Sequence, residues 1–175
     1  YANYASTIPG GANFDVNERD SLTYVAAERV YMRGETADAR NSFIRYLQTF
    51  PEGAFSLNAN YYIGLIDYNQ QNYASAAPYL NKVLEYPNNK YSEEAMMMSA
   101  EIAYIAKDYA QSLEWYKLLK DRASTPERRQ IAATGMLRSA AMSGNGEETI
   151  LAATAVLADA KVAPELESEA RHYRS

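Results

Sequence analysis

Cysteine is absent from this chain, and histidine occurs once, at His172. Without a thiolate there is no disulfide, no cysteine nucleophile and no zinc–thiolate site, while the redox character of the compartment stays open. A lone imidazole with no second His and no Cys can build neither a catalytic triad nor a His-rich metal site, so no catalytic residue, metal or cofactor is expected. No run of about eighteen apolar residues occurs, so no membrane-spanning helix and no direct membrane insertion are expected. Basic charge is also short, with 17 Lys and Arg against 22 Asp and Glu and a net charge of −5. Nucleic-acid affinity rests on cations that neutralise phosphates, so nucleic acid is not an expected partner. Two glycine-bearing stretches, Gly10-Gly11 and Gly144-Asn145-Gly146, lack the following Lys-Ser/Thr and the preceding strand of a phosphate loop and read as turns. The pairs Glu93-Glu94 and Glu147-Glu148 fall in first helical turns, where negative charge suits the helix dipole without any chemistry.

What the chain does have is a hydrophobic fraction of 47 % over 175 residues, enough for a buried core, and sixteen tyrosines against one tryptophan and four phenylalanines. Residues 1–16 carry the breaker cluster Ile8-Pro9-Gly10-Gly11 and predict an irregular leader. From Asn17, taken as an N-cap with Asp20 three residues on, apolar residues at Leu22, Val25, Ala26, Val30 and Tyr31 keep helical spacing up to Gly34. Further helices are expected over 36–49, ended by Pro51, over 56–70, and over 72–85, where Pro78 should bend the helix. Ser92 should cap a helix to Ala106, Asp108 one to Arg122, and Thr125-Pro126 one to Met142. A helix over 147–160 follows Gly146, and a ninth begins at Pro164. Since the chain opens on Tyr1 without Met or a signal segment, a piece of a longer protein is expected.

The helices pair, and the pairs repeat. Ala39, Ala76, Ser112 and Thr149 are spaced 37, 36 and 37 residues, and Phe43, Leu80, Tyr116 and Ala153 keep the same intervals. Each couple sits four apart on a second helix, where a small residue permits close approach and a large one fills the space beside it. Ala27, Gly64, Ala100 and Gly135 form a third column on the first helices, spaced 37, 36 and 35. Gly64 and Ala76 are expected to face each other, and Leu166, Ala170 and Tyr173 to pack onto the helix over 147–160.

Ile63-Gly64, Ala76, Leu80 and Pro87, with Ala26-Ala27, Gly34, Ala39, Phe43 and Pro51 and then Ala100, Tyr109, Ser112 and Tyr116, resemble the tetratricopeptide repeat. The leading tryptophan of that motif is missing, with Thr23, Asn60 and Met96 in its place, and the period is longer than usual. The resemblance implies an all-α, right-handed solenoid of four hairpins (17–51, 55–87, 91–124 and 125–161) and a partial fifth (164–175). The long period, Phe50-Pro51, Tyr86-Pro87 and the segment Phe55 to Tyr62 look like the envelope members of Gram-negative bacteria, of the outer-membrane assembly lipoprotein and Tol-Pal coordinator types. That implies a periplasmic or outer-membrane-associated scaffold.

In the family the first helix of each pair lines a concave groove. Carried onto this chain, the groove positions are Tyr24, Glu28 and Tyr31, then Tyr61, Leu65 and Tyr68, then Met97, Glu101 and Tyr104. Tyr31, Tyr73, Tyr109 and Tyr116 also read as rings filling gaps between helices. A groove of Tyr and Met with carboxylates between them implies a non-enzymatic scaffold for a protein or peptide partner. The alternative is a module that uses the same groove for a small molecule or a cell-wall glycan or peptide fragment. The unfinished fifth hairpin implies a partly apolar outer side and weak self-association there.

Overall fold

The computed structural model describes residues 11–159 and 164–175. Among the described residues there are nine α-helices and no strand: α1 Gly11–Met32, α2 Thr36–Thr49, α3 Ser56–Asn69, α4 Tyr73–Glu85, α5 Ser92–Ile105, α6 Tyr109–Arg122, α7 Pro126–Ser143, α8 Gly146–Ala158 and α9 Pro164–Arg174. The fold is all-α and made of helical hairpins. None of these helices is long and apolar enough to cross a membrane. The chain divides into two compact units, one ending at Tyr86 and one starting at Pro87.

The first helix begins earlier than its sequence suggests. The irregular leader expected over 1–16 is helical from Gly11, and residues 1–10 lie outside the described residues. No proline or glycine follows Gly11 before Asn17, so nothing interrupts the helix there, and Asn17 is an interior residue and not a cap. Asp20 consequently serves a tertiary role. Its carboxylate, 6 % exposed, accepts the Tyr46 hydroxyl and, at 2.9 Å, the amide of Ala54. Gly53 is required at this latch, because a Cβ there would lie 2.5 Å from the Tyr46 hydroxyl and 2.8 Å from Asp20 Oδ2.

In the first unit α1 packs on α2, α2 on α3 and α3 on α4. Tyr24, Ala27, Ala39, Phe43, Tyr46, Ala59, Ile63 and Ile66 form its core. A polar cluster joins three helices beside it: Arg40 donates to Asp67 from Nε at 2.6 Å and from Nη2 at 3.0 Å, and Ser75 Oγ donates to Asp67 Oδ2 at 2.7 Å. Gly64 approaches α4 closely, as its smallness suggests, and the atoms nearest to it there belong to Leu80. A Cβ at Gly64 would lie 2.7 Å from Leu80 Cδ2 and 2.9 Å from its Cγ. Ala76, one turn earlier on α4, is fully buried. Pro78 lies inside α4 at an exposed position.

In the second unit α5 to α9 pack in the same sequential way. Asp108, Thr125 and Asn145 cap α6, α7 and α8, each accepting the amide three residues on. Ser92 is not a cap: it is the first residue of α5, and its hydroxyl accepts the Asn89 amide at 2.9 Å, closing the preceding turn. Ser112 at the small column donates to the Ala100 carbonyl at 2.8 Å and lies 3.0 Å from Ser139 Oγ. Leu166 and Ala170 are buried with Leu137, Ala152, Ala153 and Val156, and Tyr173 packs beside them. The exposed residues of α9 are Pro164, Glu165, Ser168, Arg171, His172 and Arg174. The partly apolar outer side expected at this end is therefore absent from α9, because its three large or apolar residues at i, i+4 and i+7 all turn to α8.

The turn between the helices of each hairpin carries one left-handed residue: Gly34 (φ 81°), Gln71 (φ 61°), Lys107 (φ 65°) and Gly144 (φ 77°). Their spacing is again 37, 36 and 37 residues. In the first three, the next residue's amide reaches back five residues, from Glu35 to Val30, Asn72 to Asp67 and Asp108 to Ala103, which satisfies carbonyls left open at the helix end.

Candidate functional site

The nine sequence-predicted groove residues fall into two groups, one in each unit. In the first unit Tyr24 is core. It is 3 % exposed, its ring is stacked on Phe55 at 4.4 Å and 6°, and its hydroxyl donates to Glu28 Oε2 at 2.8 Å. The turn before α3 brings Phe55 over this ring, which a reading of α1 alone does not reveal. Tyr31 is half-buried with its centroid 4.8 Å from that of Tyr62, and Tyr62 is stacked on Phe43 at 5.1 Å. Tyr61 meets Tyr62 edge-on at 5.8 Å, and Tyr68 meets Tyr73 edge-on at 5.7 Å. Tyr31, Tyr61, Leu65 and Tyr68 thus all keep part of their surface in solvent, on α1 and α3. Interlocked rings of this kind hold their positions at little cost in rotamer freedom.

The second unit contains a recess of about 580 Å³ between α5, α6 and α7. From α5 come Glu101 and Tyr104, the latter edge-on to Tyr109 at 5.2 Å. From α7 come Glu127, Gln130, Ile131, Thr134 and Arg138. Tyr116 of α6 lies against α7 face-on, since a Cβ at Gly135 would be 2.5 Å from three of its ring atoms. Gly135 therefore opens the space that the Tyr116 ring occupies. Burial, reinforced by the Glu101 charge and by Tyr104 and opposed by Arg138, pushes the Tyr116 phenol up to about 12, so it remains a neutral hydroxyl at physiological pH.

Arg138 is held from outside the recess. Its Nε and Nη2 donate to the two Glu169 oxygens of α9 at 3.1 and 3.0 Å, and this hydrogen bonding raises the guanidinium further above its ordinary value. The charges on the walls are thus two carboxylates and one guanidinium already bound to a carboxylate.

The structure brings Glu101 and Tyr104 of the sequence-predicted set together at this recess. Met97 is half-buried on α5 and does not line it. Tyr116, Glu127, Gln130, Ile131, Thr134 and Arg138 were missed as site residues. For three of them a signal exists, because Ile131, Thr134 and Arg138 at i, i+3 and i+7 share one face of α7. Ile131 is 44 % exposed there, which fits an anchor waiting for cover better than a core residue.

Other candidates have structural explanations. Glu93 accepts the Ser124 amide and hydroxyl together with Arg128, and Glu94 also accepts from Arg128, which clamps α5 to the start of α7. Burial alone would raise the Glu93 carboxyl, but Ser124 and Arg128 outweigh it and hold the group below its usual range. Glu148 accepts Lys117 Nζ at 3.1 Å. His172 is exposed and edge-on to Tyr173. No group of three or more His, Cys, Asp or Glu able to hold a metal occurs among the described residues.

No curated protein matches this sequence. A tetratricopeptide repeat profile matches it twice, over residues 24–91 and 61–126, which together take in more than half of the 175 residues. With the hairpins, the repeated small and large columns and the recurring left-handed turn residue, this match shows that the chain belongs to the tetratricopeptide repeat family.

Proposed function

We propose that this chain is a non-enzymatic scaffold that holds an extended or helical peptide of a partner protein on the first helices of its hairpins. Tetratricopeptide repeats generally mediate protein–protein interaction. The observation that carries the reading is the recess beside α5 and α7, whose Tyr104, Tyr116 and Ile131 combine rigid aromatic surface with an exposed aliphatic side chain. Tyr31, Tyr61, Leu65 and Tyr68 of the first unit are the corresponding half-exposed surface there. Panning a displayed library of 12-residue peptides on the protein tests the reading. Enrichment should occur on the parent chain and be lost with Ile131→Arg, which fills the recess from an exposed position. Enrichment that Ile131→Arg leaves unchanged would remove the recess from the account.

A recess of about 580 Å³ also falls within the range of small-molecule sites, which supports the second reading, a module for a small molecule or a cell-wall fragment. Soluble cell-wall muropeptides that raise the thermal midpoint, in place of any enriched peptide, would favour it. The sequence features Phe50-Pro51 and Tyr86-Pro87 and the long period support placement in the Gram-negative envelope. Fractionation of cells carrying the tagged parent protein tests that placement, and recovery in the cytoplasm would exclude it.

A further inference from the structure

We propose that the recess between α5, α6 and α7 selects one cationic side chain, a Lys or an Arg, of the bound peptide. This rests on the reading of the recess as a peptide anchor and adds what the anchor recognises. Three features of the walls agree on a cation.

The first is charge. Glu101 and Glu127 enter the lining from two helices, and the one cation among the lining residues, Arg138, is engaged through Nε and Nη2 by Glu169. A ligand carboxylate would meet two like charges and an arginine whose Nε and Nη2 already hold Glu169. A ligand ammonium or guanidinium meets the opposite field, and that field acts in a concave site where screening by water is reduced.

Aromatic faces are the second. Tyr104 and Tyr116 supply π-systems whose negative faces attract a cation within about 6 Å. The Tyr116 ring lies against the bare Cα of Gly135 at the wall of the recess.

The third is shape. Lys and Arg carry their charge at the end of an aliphatic stem, and such a stem needs an apolar wall before it reaches a polar end. Ile131, 44 % exposed, offers that wall. A neutral side chain of the same length would gain the wall and lose the attraction of the carboxylates and rings. The chain's net charge of −5 acts in the same direction, speeding the approach of a basic segment.

The test pans the same displayed 12-residue library on the parent chain and on a Glu101→Gln/Glu127→Gln double variant, with circular dichroism of both and with Glu127→Gln alone as the milder change. Expected on the parent chain is a Lys or Arg at one fixed position of the enriched peptides. Replacing that residue by norleucine in a synthetic peptide should weaken binding at least tenfold. The double variant should lose most of this tenfold preference while still binding the norleucine peptide as the parent does. Rising salt should weaken the Lys peptide more than the norleucine peptide. Peptides that enrich and are blocked by Ile131→Arg but show no fixed cation would overturn the inference and leave the scaffold reading in place. Fixed acidic residues would overturn it in the same way. Failure to enrich any peptide would overturn the scaffold reading and this inference with it.

Discussion

Tyr46 donates its phenol to Asp20, a residue 26 positions earlier, and its oxygen in turn accepts the Phe55 amide at 2.9 Å. One fully buried hydroxyl thus ties α1, α2 and the turn into α3. Tyr46→Phe would strand a carboxylate oxygen and an amide, each short of a partner, at a cost of about 1–3 kcal/mol. Urea denaturation should show that loss. Burial, with the Asp20 hydrogen bond, holds the folded phenol well above the ordinary 10.0, while the Phe55 amide opposes the shift. In the unfolded chain the tyrosine loses its proton near 10.0 and in the folded chain it keeps it, so the unfolded state binds fewer protons above that pH. Stability should therefore be fully present below about pH 10 and decline as the pH rises past it. Tyr46→Phe should make the decline shallower without abolishing it, since Tyr116 is shifted in the same direction. An unchanged alkaline profile in Tyr46→Phe would sink this assignment.

Gly64 and Leu80 give the second prediction. Gly64→Leu must displace Leu80 or part α3 from α4 and should cost about 1–3 kcal/mol by overpacking. Leu80→Ala should relieve much of that cost in the double variant, so a double-mutant cycle would reveal strong coupling. Additive losses would mean that the two side chains do not meet.

The left-handed turn residues provide the third. Gln71 and Lys107 hold a conformation that costs a side-chain-bearing residue about 1 kcal/mol or more, whereas Gly34 and Gly144 adopt it freely at the equivalent positions. Gln71→Gly and Lys107→Gly should each leave the protein as stable or raise its stability by about 0.5–1 kcal/mol, even though glycine elsewhere in these helices destabilises. A loss above that amount on thermal or chemical denaturation would contradict the shared turn geometry.

Asp67 supplies the fourth. Its side chain is 2 % exposed and depends on Arg40 and Ser75 for compensation. Arg40→Ala should cost about 3–5 kcal/mol, because it leaves a buried carboxylate with a single neutral partner. Arg45→Ala, on the exposed side of the same helix, should stay within about 0.5 kcal/mol. Equal effects of the two substitutions on chemical denaturation would place Asp67 in contact with solvent.

The hairpins were legible because their determinants are local or periodic. Pro51 and Gly144 stand just past the ends of α2 and α7, and Ala39, Ala76, Ser112 and Thr149 repeat at the interval of the fold. The turn column was half hidden, since Gln71 and Lys107 carry no sign of the conformation that Gly34 and Gly144 suggest. The Arg40–Asp67–Ser75 cluster was invisible, being assembled from three helices. Tyrosines defeated sequence reasoning in both directions for one reason. A ring that fills a gap and a ring that lines a recess share the same helical spacing, and only the neighbouring helix decides. Phe55 buries Tyr24, and Gly135 draws Tyr116 into the wall of the recess.

The central claim is that a partner peptide lies on the first helices of the hairpins, and site-specific photo-crosslinking measures this most directly. A benzoylphenylalanine is placed at position 127, an exposed residue of α7 at the recess, in one sample and at position 151 on α8 in another, where Leu151 is 60 % exposed. Each is irradiated with a peptide recovered by panning. The account predicts a crosslinked product from position 127 and none from position 151, while crosslinking from 151 alone would place the partner on the second helices and contradict it.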